Sequence, residues 1–261
     1  MSFQVLVSTM QQKGHGLLEK MKITSNAVIV NQGFCKSLEN LTFENNLITW
    51  INSPKRGLSM SRNMAIQNAT ANICLLADDD EVFVDHYERI ILEQFENNPD
   101  YDIIAFQAEG IEEKFKNYHP KTRDIGYLYS MKISSVEIAF RLKRIKEKGI
   151  KFNELFGAGA KYFAGEENIF LFECLRKGLK IKYVPVKIAD LHIGDSSWFK
   201  GYNKEYFIAK GAIFTAMSKA FSILFILQFA IRKRELFRDE LSITEAVKFM
   251  FKGRKEYLNL K

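Results

Sequence analysis

Short apolar runs separated by longer stretches with a 3.6-residue rhythm set the pattern of this chain. The runs at 3–7, 27–30, 47–51, 73–77, 101–106 and 180–184 are bounded by polar turn residues, as buried strands are. Between them, 17–21, 59–69, 85–97 and 168–177 read as helices. Leu58, Ala65, Ile66 and Ala69 share one face of the second, and Tyr87, Ile90, Ile91 and Phe95 one face of the third. Ser134 is placed to cap a further helix over 135–148 that Gly149 would close. Strands alternating with helices at this spacing predict an α/β fold, a mostly parallel central sheet with helices on both faces. Two segments break the rhythm. From 109 to 131 the chain is polar and aperiodic and reads as a variable loop or short hairpin, whereas 211–231 is nearly all apolar with a polar stripe of Thr215, Ser218, Lys219 and Ser222.

Candidate chemistry starts where the run 73–77 ends, because Asp78, Asp79 and Asp80 follow it. In open α/β sheets the carboxyl ends of the strands form the ligand edge. Adjacent carboxylates repel one another, so a cluster there calls for a cation. A hard divalent ion, Mg²⁺ or Mn²⁺, sharing its oxygens with substrate phosphates would answer that call. A solvated turn is the bland alternative for an acidic triplet, but a position after a buried strand favours a site. Ser8, Thr9, Asn31 and Gln32 close the first two strands on the same edge and can offer hydrogen bonds to a nucleobase or ribose, as ordinary turn residues also could. Arg62 lies near the amino end of helix 59–69, where a diphosphate would be welcome; a plain surface arginine is the alternative. Gly157, Gly159 and Gly165 permit close backbone approach, and Glu166-Glu167 then open a helix, a placement that the helix dipole alone could explain.

Arg56-Gly57-Leu58-Ser59-Met60-Ser61-Arg62-Asn63, followed by Ile73-Cys74-Leu75-Leu76-Ala77-Asp78-Asp79-Asp80, resembles the donor-site core of the family 2 glycosyltransferases, including their Asp-x-Asp motif. The resemblance covers about residues 5–197 and implies a nucleotide-diphospho-sugar transferase fold of the Rossmann-like A type. Residues 1–200 would be the catalytic domain, with a donor half over 1–108 and an acceptor half over 109–200. Ser8, Thr9, Asn31, Gln32, Gly57, Arg62, Asn63, Asp78 and Asp79 would contact the donor, and Asp80, Asp78 and His192 would hold the metal. Gly165-Glu166-Glu167 is similar to the family's Gly-Glu-Asp motif, whose last acid is the general base. That role falls on Glu167, one methylene longer than the usual Asp, with Glu166 as the neighbour that contacts the acceptor. Where the family often has Asp-Asp-Gly-Ser after the second strand, this chain has Asn31-Gln32-Gly33; Asn31 can still pair with a uracil edge, and a UDP-sugar is the favoured donor. The implied activity is inverting transfer of a sugar to a hydroxyl of a glycan or polyprenyl-linked acceptor in surface polysaccharide synthesis. Trp198 and Phe199 would close over the site or simply pack. Two other readings stay open: a metal-dependent sugar nucleotidyltransferase, for which Gln11-Gln12-Lys13-Gly14 is a poor phosphate loop, and a noncatalytic membrane-associated module on the same fold.

Composition narrows the field. The 261 residues, 47% hydrophobic and 13% aromatic, suffice for a full core. Cys35, Cys74 and Cys174 have neither metal nor disulfide spacing, which fits a reducing compartment. The first residues lack the charged and apolar regions of a signal peptide, so a cytoplasmic place is expected. A net charge of +7 permits anionic lipid, phosphorylated substrates or nucleic acid, but no zinc-finger or aromatic-basic motif accompanies it, and nucleic acid is not expected. Residues 201–261 read as a helical appendage. Within it, 212–234 has a wide apolar face ending in Arg232-Lys233-Arg234, which suits a helix lying peripherally in an anionic membrane interface; a helix docked on the protein's own core is the alternative.

Overall fold

The structure, a computed structural model, describes residues 1–193 and 201–260. In chain order the elements are β1 (Phe3–Met10), α1 (Leu17–Lys20), β2 (Ala27–Gln32), β3 (Ser37–Phe43), β4 (Asn46–Ser53), α2 (Leu58–Asn68), β5 (Ile73–Asp78), β6 (Glu81–Phe83), α3 (Tyr87–Asn97) and β7 (Ile103–Gly110). There follow β8 (Arg123–Asp124), α4 (Tyr127–Ser130), β9 (Ile138–Arg141), α5 (Leu142–Glu147), α6 (Glu166–Arg176), β10 (Ile181–Leu191), α7 (Lys204–Met217), α8 (Ser222–Arg232) and α9 (Ile243–Asn259).

One sheet runs β3-β4-β2-β1-β5-β9-β7-β10-β6, with β8 beside β10. The block β4-β2-β1-β5 is parallel, and its register sets Ser8 beside Asp78 and Thr9 beside Asn31, so the ends of three strands meet at one edge. Period-two alternation supplies both faces of this sheet. Leu6, Val28 and Leu76 pack under α2, α5 and α6 through Ala65, Ile145 and Phe170. Val5, Val7, Ile29 and Leu75 pack on the other side under α1 and α3 through Leu18, Tyr87 and Ile91.

The expected helix over 135–148 is not there. Ser134 does begin a turn, its N–H donating to Glu137 Oε2 at 3.0 Å, but the turn spans only Ser135–Glu137 and gives way to β9 and then α5. The reason is tertiary: β9 fits between β5 and β7, antiparallel to both, and buries Ile138, Ala139 and Phe140. Two ladders of partners outweigh a local preference for helix. Strand β3 was also unforeseen, because it is a largely exposed edge whose polar sequence hides its pairing with β4. The signal lay in the turn, where Glu44 and Asn45 both take positive φ, 46° and 66°, as a tight two-residue hairpin loop requires.

Helices α7, α8 and α9 share a core with Phe156, Tyr162, Ile169 and Phe172. Helices α7 and α9 cross almost backbone to backbone: a Cβ on Gly211 would lie 1.8 Å from the Met250 carbonyl oxygen, and one on Gly253 1.9 Å from that of Ile208. The segment 212–234 is therefore not one interfacial helix. Its first part completes α7 and buries Ala212, Ile213, Phe214 and Met217, while α8 leaves Ile223, Leu224, Leu227 and Ile231 exposed. No helix among the described residues is long and apolar enough to cross a membrane.

Candidate active site

Arg62 joins the two acidic motifs. The guanidinium, 1% exposed, donates from Nη1 to Glu166 Oε1 at 2.9 Å. From Nη2 it donates to both Asp78 oxygens at 2.9 and 3.0 Å and to Ser135 Oγ at 2.8 Å. Burial opposes its charge, but Asp78 and Glu166 more than offset this and hold it firmly protonated. A buried cation needs anions in contact, and Asp78 and Glu166 converge on Arg62 from the end of β5 and the start of α6. Glu166 is likewise buried, its Oε1 held by Arg62. Gly157 makes room for it, since a Cβ there would lie 3.2 Å from the Glu166 carboxyl carbon.

The residues expected to contact the donor gather along the strand ends, yet several spend their side chains on the protein. Asn31 accepts from the Gln12 N–H at 3.0 Å and donates to Gln12 O at 3.0 Å and Asn52 Oδ1 at 2.9 Å. Gln32 Oε1 accepts from the Gly57 N–H at 2.7 Å. Asn63 clamps Phe152, accepting from its N–H at 2.8 Å and donating to its carbonyl at 2.9 Å. Their amides brace loops, because each is buried or partly buried where backbone groups need partners. Ser61 donates to Ser8 Oγ at 2.9 Å, and Thr9 donates to Asp79 Oδ2 at 2.6 Å. Gly57, at φ +136°, allows close approach of the loop before α6, where a Cβ on Gly159 would lie 3.5 Å from the Gly57 Cα.

In the triplet, desolvation and repulsion from Asp78 and Asp79 push the Asp80 carboxyl up to about 6. Asp78 is tied down by Arg62 and by its N–H, which donates to Glu81 Oε1 at 2.6 Å; Glu81 is fully buried and held strongly toward its neutral form by that burial. The His192 N–H donates to Asp80 O at 2.9 Å, so the two residues are neighbours, but the imidazole Nδ1 pairs with Glu112 Oε1 at 2.9 Å. The set Asp78, Asp80 and His192 therefore does not close on one point, and no group of three or more His, Cys, Asp or Glu side chains able to hold a metal occurs among the described residues. Crowded carboxylates short of a complete cage still fit a hard cation whose remaining ligands come from substrate phosphates.

Glu167 points elsewhere. It lines a cavity of about 340 Å³ with Phe163, Asn168, Tyr202, Tyr206 and Lys210. Desolvation and Glu166 push its carboxyl up to about 8, against the pull of Arg62 and Lys210. A carboxylate poised near neutrality is suited to proton abstraction. A larger groove of about 980 Å³, between α1 and α3, is lined by none of these residues. Sequence reading missed Ser135, Lys116 and Lys210 around the site. Of these only Lys210 carried a visible signal, as the single charge between Tyr206 and Met217. Trp198 and Phe199 lie outside the described residues.

The model of a family described as glycosyl transferase family 2 matches residues 31–168, which include Arg62, the triplet and Glu167. No curated protein matches the chain. Among solved structures, S. aureus TarS 1-349 in complex with UDP is similar with a TM-score of 0.66 at 13% identity, over 100% of this chain and 83% of that one. Its complex with UDP-GlcNAc gives 0.63 at 14% identity, over 99% and 79%. A further TarS structure gives 0.63 at 13% identity, over 94% of this chain and 46% of that one. At such identity the likeness speaks for the fold, the same nucleotide-sugar transferase architecture.

Proposed function

The chain belongs to glycosyl transferase family 2, and from that premise we propose that it moves a sugar from a nucleotide-diphospho-sugar, a UDP-sugar foremost, to a hydroxyl of a glycan or polyprenyl-linked acceptor, with inversion. The family sets aside the nucleotidyltransferase and noncatalytic readings. The observation that carries the proposal is the pair of acidic motifs on either side of Arg62, one crowded at the strand edge and one opening on a cavity. UDP and UDP-GlcNAc in the complexes of the structural neighbour support a uridine donor.

In this reading Asp80, with Asp79 beside it, would hold Mn²⁺ or Mg²⁺ for the donor diphosphate, and His192 adjoins Asp80 through its backbone N–H. When bound, such an ion offsets the charge that builds on the leaving nucleoside diphosphate. Arg62 acts on neither phosphate nor sugar; it fixes Asp78 and Glu166, and through them the two halves of the site. Thr9 and the loops braced by Asn31, Gln32 and Asn63 shape the nucleoside seat. Glu167 takes the proton of the acceptor hydroxyl. The freed oxygen attacks the anomeric carbon on the face opposite the diphosphate, which inverts that centre. The exposed face of α8, ending in Arg232-Lys233-Arg234, would keep the enzyme at the cytoplasmic surface of an anionic membrane where a lipid-linked acceptor resides.

A thermal-shift panel of nucleoside diphosphates with and without Mn²⁺ tests the donor. UDP with Mn²⁺ should stabilise most, by ~2.7 kcal/mol at 100 times its dissociation constant. Asp80→Ala should abolish the metal-dependent part. Glu167→Gln should preserve UDP binding and cut transfer by ~10²–10⁴-fold. No stabilisation by any nucleoside diphosphate would overturn the reading.

A further inference from the structure

The cavity in front of Glu167 is closed by α7, which lies outside the segment that the family model matches. Lys210 of α7 lines it too. Its ammonium faces two rings, Tyr206 at 5.7 Å and Phe229 at 5.6 Å, and forms neither an ion pair nor a hydrogen bond with a described residue. Burial, joined by repulsion from Lys233, lowers its hold on the proton, and the acid that counters this is Glu167. A desolvated ammonium with no anion in contact among the described residues is costly, so Lys210, the single charge between Tyr206 and Met217, calls for a partner across the cavity.

Among the described residues, the charged groups facing Glu167 are few. Glu166 stands beside it on α6, Arg62 reaches it from α2, Lys210 from α7, and Lys116 from the loop after β7. Arg62 is already bound to Asp78 and Glu166, and Lys116 to Glu137 at 2.5 Å. Among the described residues, Lys210 is the cation left to answer Glu167. Phe163, Tyr202 and Tyr206 line the same space.

We propose that Lys210 is a positioning residue of the transfer site: across the cavity its ammonium favours the ionised form of Glu167 and orients that carboxylate toward the acceptor hydroxyl. The C-terminal helices thereby complete a site that the matched segment alone leaves unfinished. The inference rests on the reading of Glu167 as the base. The step balances within the site: the acceptor O–H bond breaks toward Glu167, a bond forms from that oxygen to the anomeric carbon, and the bond to the diphosphate breaks with its electron pair leaving on the diphosphate.

The test is a carbon-13 titration of the glutamate carboxyls, with the Glu167 signal assigned by its loss in Glu167→Gln, alongside the pH profile of UDP-sugar hydrolysis. In the wild type the signal should titrate near 8. In Lys210→Met the midpoint should rise by about one pH unit, hydrolysis at neutral pH should fall about tenfold with it, and Lys210→Arg should restore both. Lys210→Gln, which keeps a polar head in the cavity, decides the matter if Lys210→Met does not fold. An unchanged Glu167 midpoint in a folded Lys210 variant would overturn the inference. Wild-type hydrolysis by Glu167→Gln would instead overturn the base assignment, while the titration would still report whether Lys210 and Glu167 are coupled.

Discussion

Arg62 grips Asp78 with a single nitrogen: Nη2 lies 2.9 and 3.0 Å from the two carboxylate oxygens, which leaves Nη1 free to reach Glu166 at 2.9 Å. One buried cation thus joins α2, β5 and α6. Lysine at 62 would keep the charge and lose the fork. Arg62→Met leaves two carboxylates facing each other without a counter-ion, and breaking such a buried pair costs ~3–5 kcal/mol. Urea unfolding should place Arg62→Met well below the wild type and Arg62→Lys between them, and Arg62→Met with Glu166→Gln should recover part of the loss. A wild-type midpoint for Arg62→Met would show that the cluster is not what holds these elements together.

Glu167 sets stability against function. In the unfolded chain it ionises near ~4.3, and in the folded protein near 8. Between these values the folded protein keeps a proton that the unfolded chain has released, so this group makes stability fall as pH rises through that window. Glutamine has no proton to release. Thermal unfolding of Glu167→Gln should therefore match the wild type near pH ~4 and exceed it above about pH 8, while transfer is lost. A difference that does not vary with pH would mean that the folded protein does not oppose this charge.

Much of this arrangement was legible because it depends on local pattern. The apolar run before Asp78 announced a buried strand, and Gly165-Glu166-Glu167 announced a helix start that does carry Glu167 to a cavity. What stayed hidden depends on partners far along the chain. Asn31 and Gln32 look like free amides in sequence, and only the loops bearing Gln12 and Gly57 show that they are occupied. The strand β9 needed a gap between β5 and β7 that no local signal reveals. Lys210 stood out as a lone charge, but its nearness to Glu167 follows from how α7 docks.

That docking depends on two glycines. With the Met250 carbonyl 1.8 Å from where a Gly211 Cβ would sit, and the contact being backbone, alanine can be fitted only by moving α7 and α9 apart. Overpacking of this kind costs ~1–3 kcal/mol. Gly211→Ala should lower the thermal midpoint and also reduce UDP-sugar hydrolysis, because Lys210 adjoins the substituted position. Gly14→Ala, where a Cβ would meet nothing within 4 Å, serves as the control. If Gly211→Ala behaves like that control, the two helices are not held at the close distance that the glycines permit.

Helix α8 presents the remaining question of partners. Its 11 residues make it about 16 Å long, enough to lie in a membrane interface and too short to cross one. Leu224 is 60% and Ile231 70% exposed, with Phe221 and Leu227 on the same open surface, and Arg232, Lys233 and Arg234 follow in exposed positions. Apolar contact and basic charge together fit anionic lipid. The protein should float with vesicles containing anionic lipid and detach as salt is raised, since the attraction reaches only a Debye length. Replacing the three basic residues with Gln should weaken binding by ~3 kcal/mol if all engage, at ~1 kcal/mol each. Leu224→Ser with Ile231→Ser should weaken it without removing the salt dependence, because the apolar and electrostatic contributions are separate. A protein that stays with the supernatant at low salt would show that this face serves something other than a membrane.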